Sequence, residues 1–71
     1  MATALDVIGA ANAGAGHKLD ATAFTSLDLI GIATATKRGG GQLTIYNADR
    51  LTALDRIGIA NAGKGHVTFE F

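Results

Sequence analysis

A chain of 71 residues makes one domain, and at that length folding hides only about 60% of the surface the unfolded chain exposes, so its own core is marginal. There is no cysteine to supply a disulfide or a thiolate metal site. Six basic side chains balance six acidic ones, which removes the electrostatic footprint that nucleic acid or an anionic membrane requires.

The start, Met1-Ala-Thr-Ala-Leu-Asp6, has neither the basic opening nor the unbroken apolar run of a signal peptide. No segment approaches the roughly 18 apolar residues of a membrane helix. The expectation is a soluble, cytoplasmic protein with no membrane and no nucleic-acid partner.

The first element opens on Thr3-Ala-Leu-Asp-Val-Ile-Gly9, and the chain returns to that wording at Thr25-Ser-Leu-Asp-Leu-Ile-Gly31 and Thr52-Ala-Leu-Asp-Arg-Ile-Gly58. Such spacing marks one supersecondary unit packed against copies of itself, here residues 3–23, 25–48 and 52–71 of a single domain 1–71. In each copy the threonine is placed to cap a helix, with the aspartate three residues on favoured by the helix dipole. Leu5 and Ile8, Leu27 and Ile30, and Leu54 and Ile57 are three apart and share a stripe with the following glycine. That stripe is expected to be buried, with Gly9, Gly31 and Gly58 marking close approach of a neighbouring backbone.

The helices are expected to stop at Gly14-Ala-Gly16, at Gly39-Gly40-Gly41 after Lys37-Arg38, and at Gly63-Lys-Gly65. Strands follow at Leu19-Asp-Ala21, Leu43-Thr-Ile45 and Val67-Thr-Phe-Glu-Phe71, their first apolar residues each 24 after the last. Asn47 to Arg50 forms a connecting turn. Strand-helix-strand units of this length run parallel with right-handed crossovers and put the helices on one side. The expected fold is therefore α/β, a three-repeat stack with a parallel three-stranded sheet and helices on one face.

In architecture this stack resembles a small leucine-rich-repeat solenoid, whose period falls at about 20 to 29 residues. The resemblance implies that the uncovered sheet is the binding surface. The asparagine of that signature is missing: Asn47 follows Ile45 by two, and neither other copy has one at that place.

With Leu19, Ala21, Leu43, Ile45, Val67, Phe69 and Phe71 turned to the helices, the alternate residues face outward. Constant 24-residue spacing then gives three rows: Lys18, Gln42 and His66; Asp20, Thr44 and Thr68; Thr22, Tyr46 and Glu70. The function expected of this surface is non-catalytic protein binding or assembly, through Gln42, Thr44, Tyr46, His66, Thr68 and Glu70, with Tyr46 as the rigid anchor. The last strand is an apolar edge formed by Val67, Phe69 and Phe71, expected to pair with its counterpart in a second copy.

The alternative is a small phosphate- or nucleotide-binding protein, using Lys37, Arg38, Gly40 and Lys64 in the glycine loops. Gly58-Ile-Ala-Asn-Ala-Gly-Lys64 has P-loop spacing up to the lysine. It lacks the following Ser or Thr and closes a helix where a P-loop opens one. The three aspartates serve as caps, Ser26 is the one serine and lies in a first helical turn, and no nucleophile accompanies a base, so no enzyme or cofactor is expected. His17 and His66 fall on the outer strands, roughly 10 Å apart, so no metal site is expected either.

Overall fold

The computed structural model describes residues 3–71. Helices α1 (Ala4–Asn12), α2 (Ser26–Gly39) and α3 (Ala53–Gly63) alternate with strands β1 (His17–Asp20), β2 (Leu43–Tyr46) and β3 (Val67–Phe69). The sheet order is β1-β2-β3, and both pairings are parallel. A short 3-10 turn, Ala48–Arg50, leads from β2 toward α3, entered through Asn47 at φ 56.

Each helix starts where its threonine stands. The Asp6, Asp28 and Asp55 amides donate to the hydroxyls of Thr3, Thr25 and Thr52 at 3.2, 3.1 and 3.2 Å, satisfying one otherwise orphaned donor apiece. The aspartate reciprocates only in α1, where the Thr3 amide donates to Asp6 Oδ2 at 3.2 Å. α2 ends on Gly40 in the left-handed region, φ 82, which a glycine reaches without the steric cost borne by other residues.

One core lies between the helices and the sheet. It holds Val7 of α1, Leu29, Ile32 and Ala33 of α2, Ile59 of α3, Leu43 and Ile45 of β2, and Ala21 and Leu51 from the connections. Leu19, Val67 and Phe69 pack against it from the outer strands. The helices accordingly share the side of the sheet to which these residues point.

The helical face differs from that expected. Leu5, Leu27 and Leu54 are 77–81% exposed, and the buried stripe runs instead through Val7 and Ala11, through Leu29, Ile32, Ala33 and Thr36, and through Ile59 and Gly63. Helical periodicity fits this second stripe equally well. Its small members, alanine, threonine and glycine, conceal it from a hydrophobicity reading. The buried Thr36 hydroxyl donates to the Ile32 carbonyl at 2.8 Å and so leaves no orphaned group.

The strand register is constant on one side only. Leu43 pairs with Val67, 24 residues on, but His17 pairs with Leu43 and Leu19 with Ile45, a shift of two from the expected β1 register. His17 thereby takes the helix-facing position that Leu43 and Val67 hold on the other strands. The fixed feature is the entry into the sheet, where the His17 amide donates to the Gln42 carbonyl and the Leu43 amide to that of His66.

Two residues of the triple glycine do more than stop α2. A β-carbon on Gly39 would overlap the Ala11 carbonyl oxygen, and one on Gly41 would stand 2.8 Å from the Ala15 carbonyl oxygen. These residues press against the α1–β1 turn. At Gly31 and Gly58 the nearest atoms are isoleucine δ-carbons, at 3.4 and 3.6 Å. Those glycines seat a side chain and approach no backbone.

Candidate functional site: the uncovered sheet face

Because Leu43 and Ile45 face the helices, Gln42, Thr44 and Tyr46 stand on the opposite side of β2. β3 adds His66 and Thr68, and Glu70 follows, its amide donating to the Ile45 carbonyl at 2.9 Å. Register places Lys18 beside Thr44 beside Thr68, and Asp20 beside Tyr46. All six expected face residues therefore share one surface. Lys18 and Asp20 enter rows other than those expected, while Thr22 leaves the ladder altogether.

Tyr46 is half-buried at the centre. The Lys18 ammonium lies 5.8 Å from its ring centroid and 3.3 Å from Glu70 Oε1, so one cation spans from β1 across the tyrosine to the far strand. Both charged side chains remain more than half exposed, which limits the pair to a fraction of a kcal/mol, about 0.2–1.

Asp20 closes the upper end of this face. Its Oδ1 accepts the Thr22 amide at 2.9 Å, the Thr22 hydroxyl at 2.8 Å and the Asn47 side-chain amide at 3.2 Å. The Thr22 backbone bond, then the Thr22 hydroxyl and Asn47 bonds, with a smaller pull from the Arg50 charge, hold its pKa below the ordinary 3.8. Asn47 is thus a tie between β2 and β1.

His66 closes the lower end. Its Nδ1 is 2.8 Å from the Gly41 carbonyl, an acceptor only, so Nδ1 carries the proton donated to it. The Gln42 side-chain amide reaches toward the Gly65 carbonyl at 3.5 Å. His17 sits on the other side of the sheet, where its Nδ1 is buried with no partner. The two histidines are separated by the sheet itself, and among the described residues no three His, Asp or Glu side chains converge as a metal site.

The residues of the alternative site lie at the carboxyl ends of two helices. Lys37 and Arg38 are exposed in the last turn of α2, and the Gly40 amide donates to the Thr36 carbonyl at 2.9 Å. Lys64 is exposed at the end of the neighbouring helix α3. Cations in a last helical turn complement the dipole there.

On the edge strand, Val67 and Phe69 pack against the core, whereas Phe71 lies beyond β3 and is 75% exposed. Its ring lies 5.2 Å from the guanidinium of Arg56 on α3, outside the core. Among the described residues no helix is long and apolar enough to cross a membrane. The chain matches no family model, no curated protein and no solved structure.

Proposed function

We propose that this chain is a non-catalytic interaction module, its helix-strand repeats stacked as in a leucine-rich-repeat-like solenoid, and that a protein partner docks on the uncovered sheet face. The observation that carries the reading is Tyr46: a half-buried ring at the centre of a polar surface, with Thr44 and Thr68 beside it and charges of both signs at its rim. An aromatic anchor ringed by polar groups is the usual composition of an interface centre. The edge strand, with Val67 and Phe69, supplies the assembly half of the function by joining a second copy.

The test is capture of a partner from the native host by the parent chain, compared with Tyr46→Ala and Thr44→Arg. The expected outcome is loss of the same partner from both variants while their circular dichroism stays that of the parent. Retention by both removes the sheet face from the function. Backbone amides at 39–41 and 63–65 that shift with added phosphate or nucleotide favour the glycine-loop site instead.

A further inference from the structure

One contact between the helices occurs twice and leaves its two halves open at the ends. Ile8 Cδ1 lies 3.4 Å from the point where a β-carbon on Gly31 would stand, and Ile30 Cδ1 lies 3.6 Å from the same point on Gly58. The isoleucine of each motif fills the notch that the glycine leaves on the following helix. Gly9, the same notch on α1, has nothing within 4 Å among the described residues. Ile57, the same knob on α3, is 56% exposed, whereas Ile8 and Ile30 pack against the core.

The sheet ends in the same complementary way. The His17 amide donates to Gln42 across β1 and β2, and the Leu43 amide donates to His66 across β2 and β3. Alternation in a parallel ladder turns the Val67 amide to the outer edge of β3 and the Gly16 carbonyl to the outer edge of β1. These are the donor and acceptor that would make the next bond of the series.

We propose that a second copy of this chain stacks head to tail on the first, with Ile57 of one seated on Gly9 of the next and β3 of one paired in parallel with β1 of the next. The proposal rests on the assembly half of the function above and names the surfaces that perform it. A twofold pairing of β3 with β3 would run antiparallel and leave every Gly9 notch unfilled. Head-to-tail stacking fills both. It also brings Glu70, which bridges to Lys18 two strands away, to within one strand spacing, about 4.8 Å, of the next copy's first strand.

Two variants block one end each. Gly9→Glu places a charged side chain where the folded chain has open space, and Ile57→Glu replaces an exposed knob, so neither disturbs the core. By sedimentation across a dilution series, the parent is expected to gain mass with concentration and each variant alone to remain at monomer mass. Mixed in equal amounts, the variants are expected to give twice the monomer mass and nothing larger, since the dimer presents two blocked ends. A parent that stays monomeric at its highest soluble concentration overturns the proposal. So does a Gly9→Glu variant that still self-associates, or a mixture that does not pair. Tyr46→Ala is expected to leave the parent's association unchanged, which separates a failure here from a failure of the sheet-face reading.

Discussion

Ile30 on α2 stands 3.6 Å from the place a β-carbon would take on Gly58 of α3, which is van der Waals contact without overlap. Glycine in a helix costs roughly 1 kcal/mol against alanine, and here nothing opposes the added methyl. Gly58→Ala is expected to raise stability by about 0.5–1 kcal/mol, seen as a higher melting temperature. Gly39→Ala is the opposite case, because its methyl would meet the Ala11 carbonyl, and backbone cannot swing aside. Its expected cost is about 3 kcal/mol or more, above the range of ordinary overpacking.

Removing a cap hydroxyl exposes a helix start. Thr25→Ala and Thr52→Ala are each expected to lower stability by about 1 kcal/mol in urea unfolding. Thr3→Ala breaks both directions of the α1 box. Its loss should include the fraying of α1 in hydrogen exchange, and equal protection of α1 in parent and variant would contradict this.

Arg56 stands where the other motifs have Val7 and Leu29. Its Nη1 donates to the carbonyls of Ala48 at 3.0 Å and Leu51 at 2.7 Å, so the guanidinium ties α3 to the turn that precedes it. Arg56→Ala strands the part-buried Leu51 carbonyl, while that of Ala48 keeps the Leu51 amide at 3.0 Å, at an expected cost of about 1–3 kcal/mol. Arg56→Lys should recover only part of it, because an ammonium lacks the fixed fork of the guanidinium.

Asp20 sets an acid limit. Its folded pKa lies below the ordinary 3.8 because Thr22 and Asn47 donate to the ionised carboxylate. A depressed carboxyl adds stability that is fully present above the unfolded value and is lost as pH falls through the folded one. The parent is therefore expected to lose stability below about pH 3.8, in the direction that linkage requires. Asp20→Asn should be less stable than the parent at pH 6, and the gap should narrow as pH falls below about 3.8. A constant gap across that range, by urea unfolding at each pH, would show that ionisation of Asp20 contributes nothing.

What could be read from the residues alone was local. The three threonine caps, the glycine stops and the alternation around Leu43 and Val67 each involve neighbours along the chain, and they stand where expected. The β1 register required knowing that His17 holds a helix-facing position, which its chemistry does not announce. Leu51 and Ala48, in a segment read only as a turn, are buried because the 3-10 turn folds them inward. The pressure on Gly39 comes from Ala11 across the helix layer, a distance in sequence that no local pattern spans. On the sheet face the six residues were legible from parity. The Lys18 bridge over Tyr46 depended on the register and was not.

The three repeated leucines offer the sharpest check on which helical face is inside. Leu5, Leu27 and Leu54 are the most regular apolar feature of the sequence, yet their side chains are largely in water. Leu29 and Ile32, two and five residues after Leu27, are wholly buried. Replacing Leu27 with glutamine exchanges one exposed, helix-compatible side chain for another, so stability should move by no more than about 0.5 kcal/mol. Leu29→Ala should cost about 2–5 kcal/mol through lost burial and the cavity left behind, enough to unfold much of a chain this small. Chemical unfolding of the two variants side by side decides it: a Leu27→Gln loss comparable to that of Leu29→Ala would mean that the helices present their leucine stripe to the core after all.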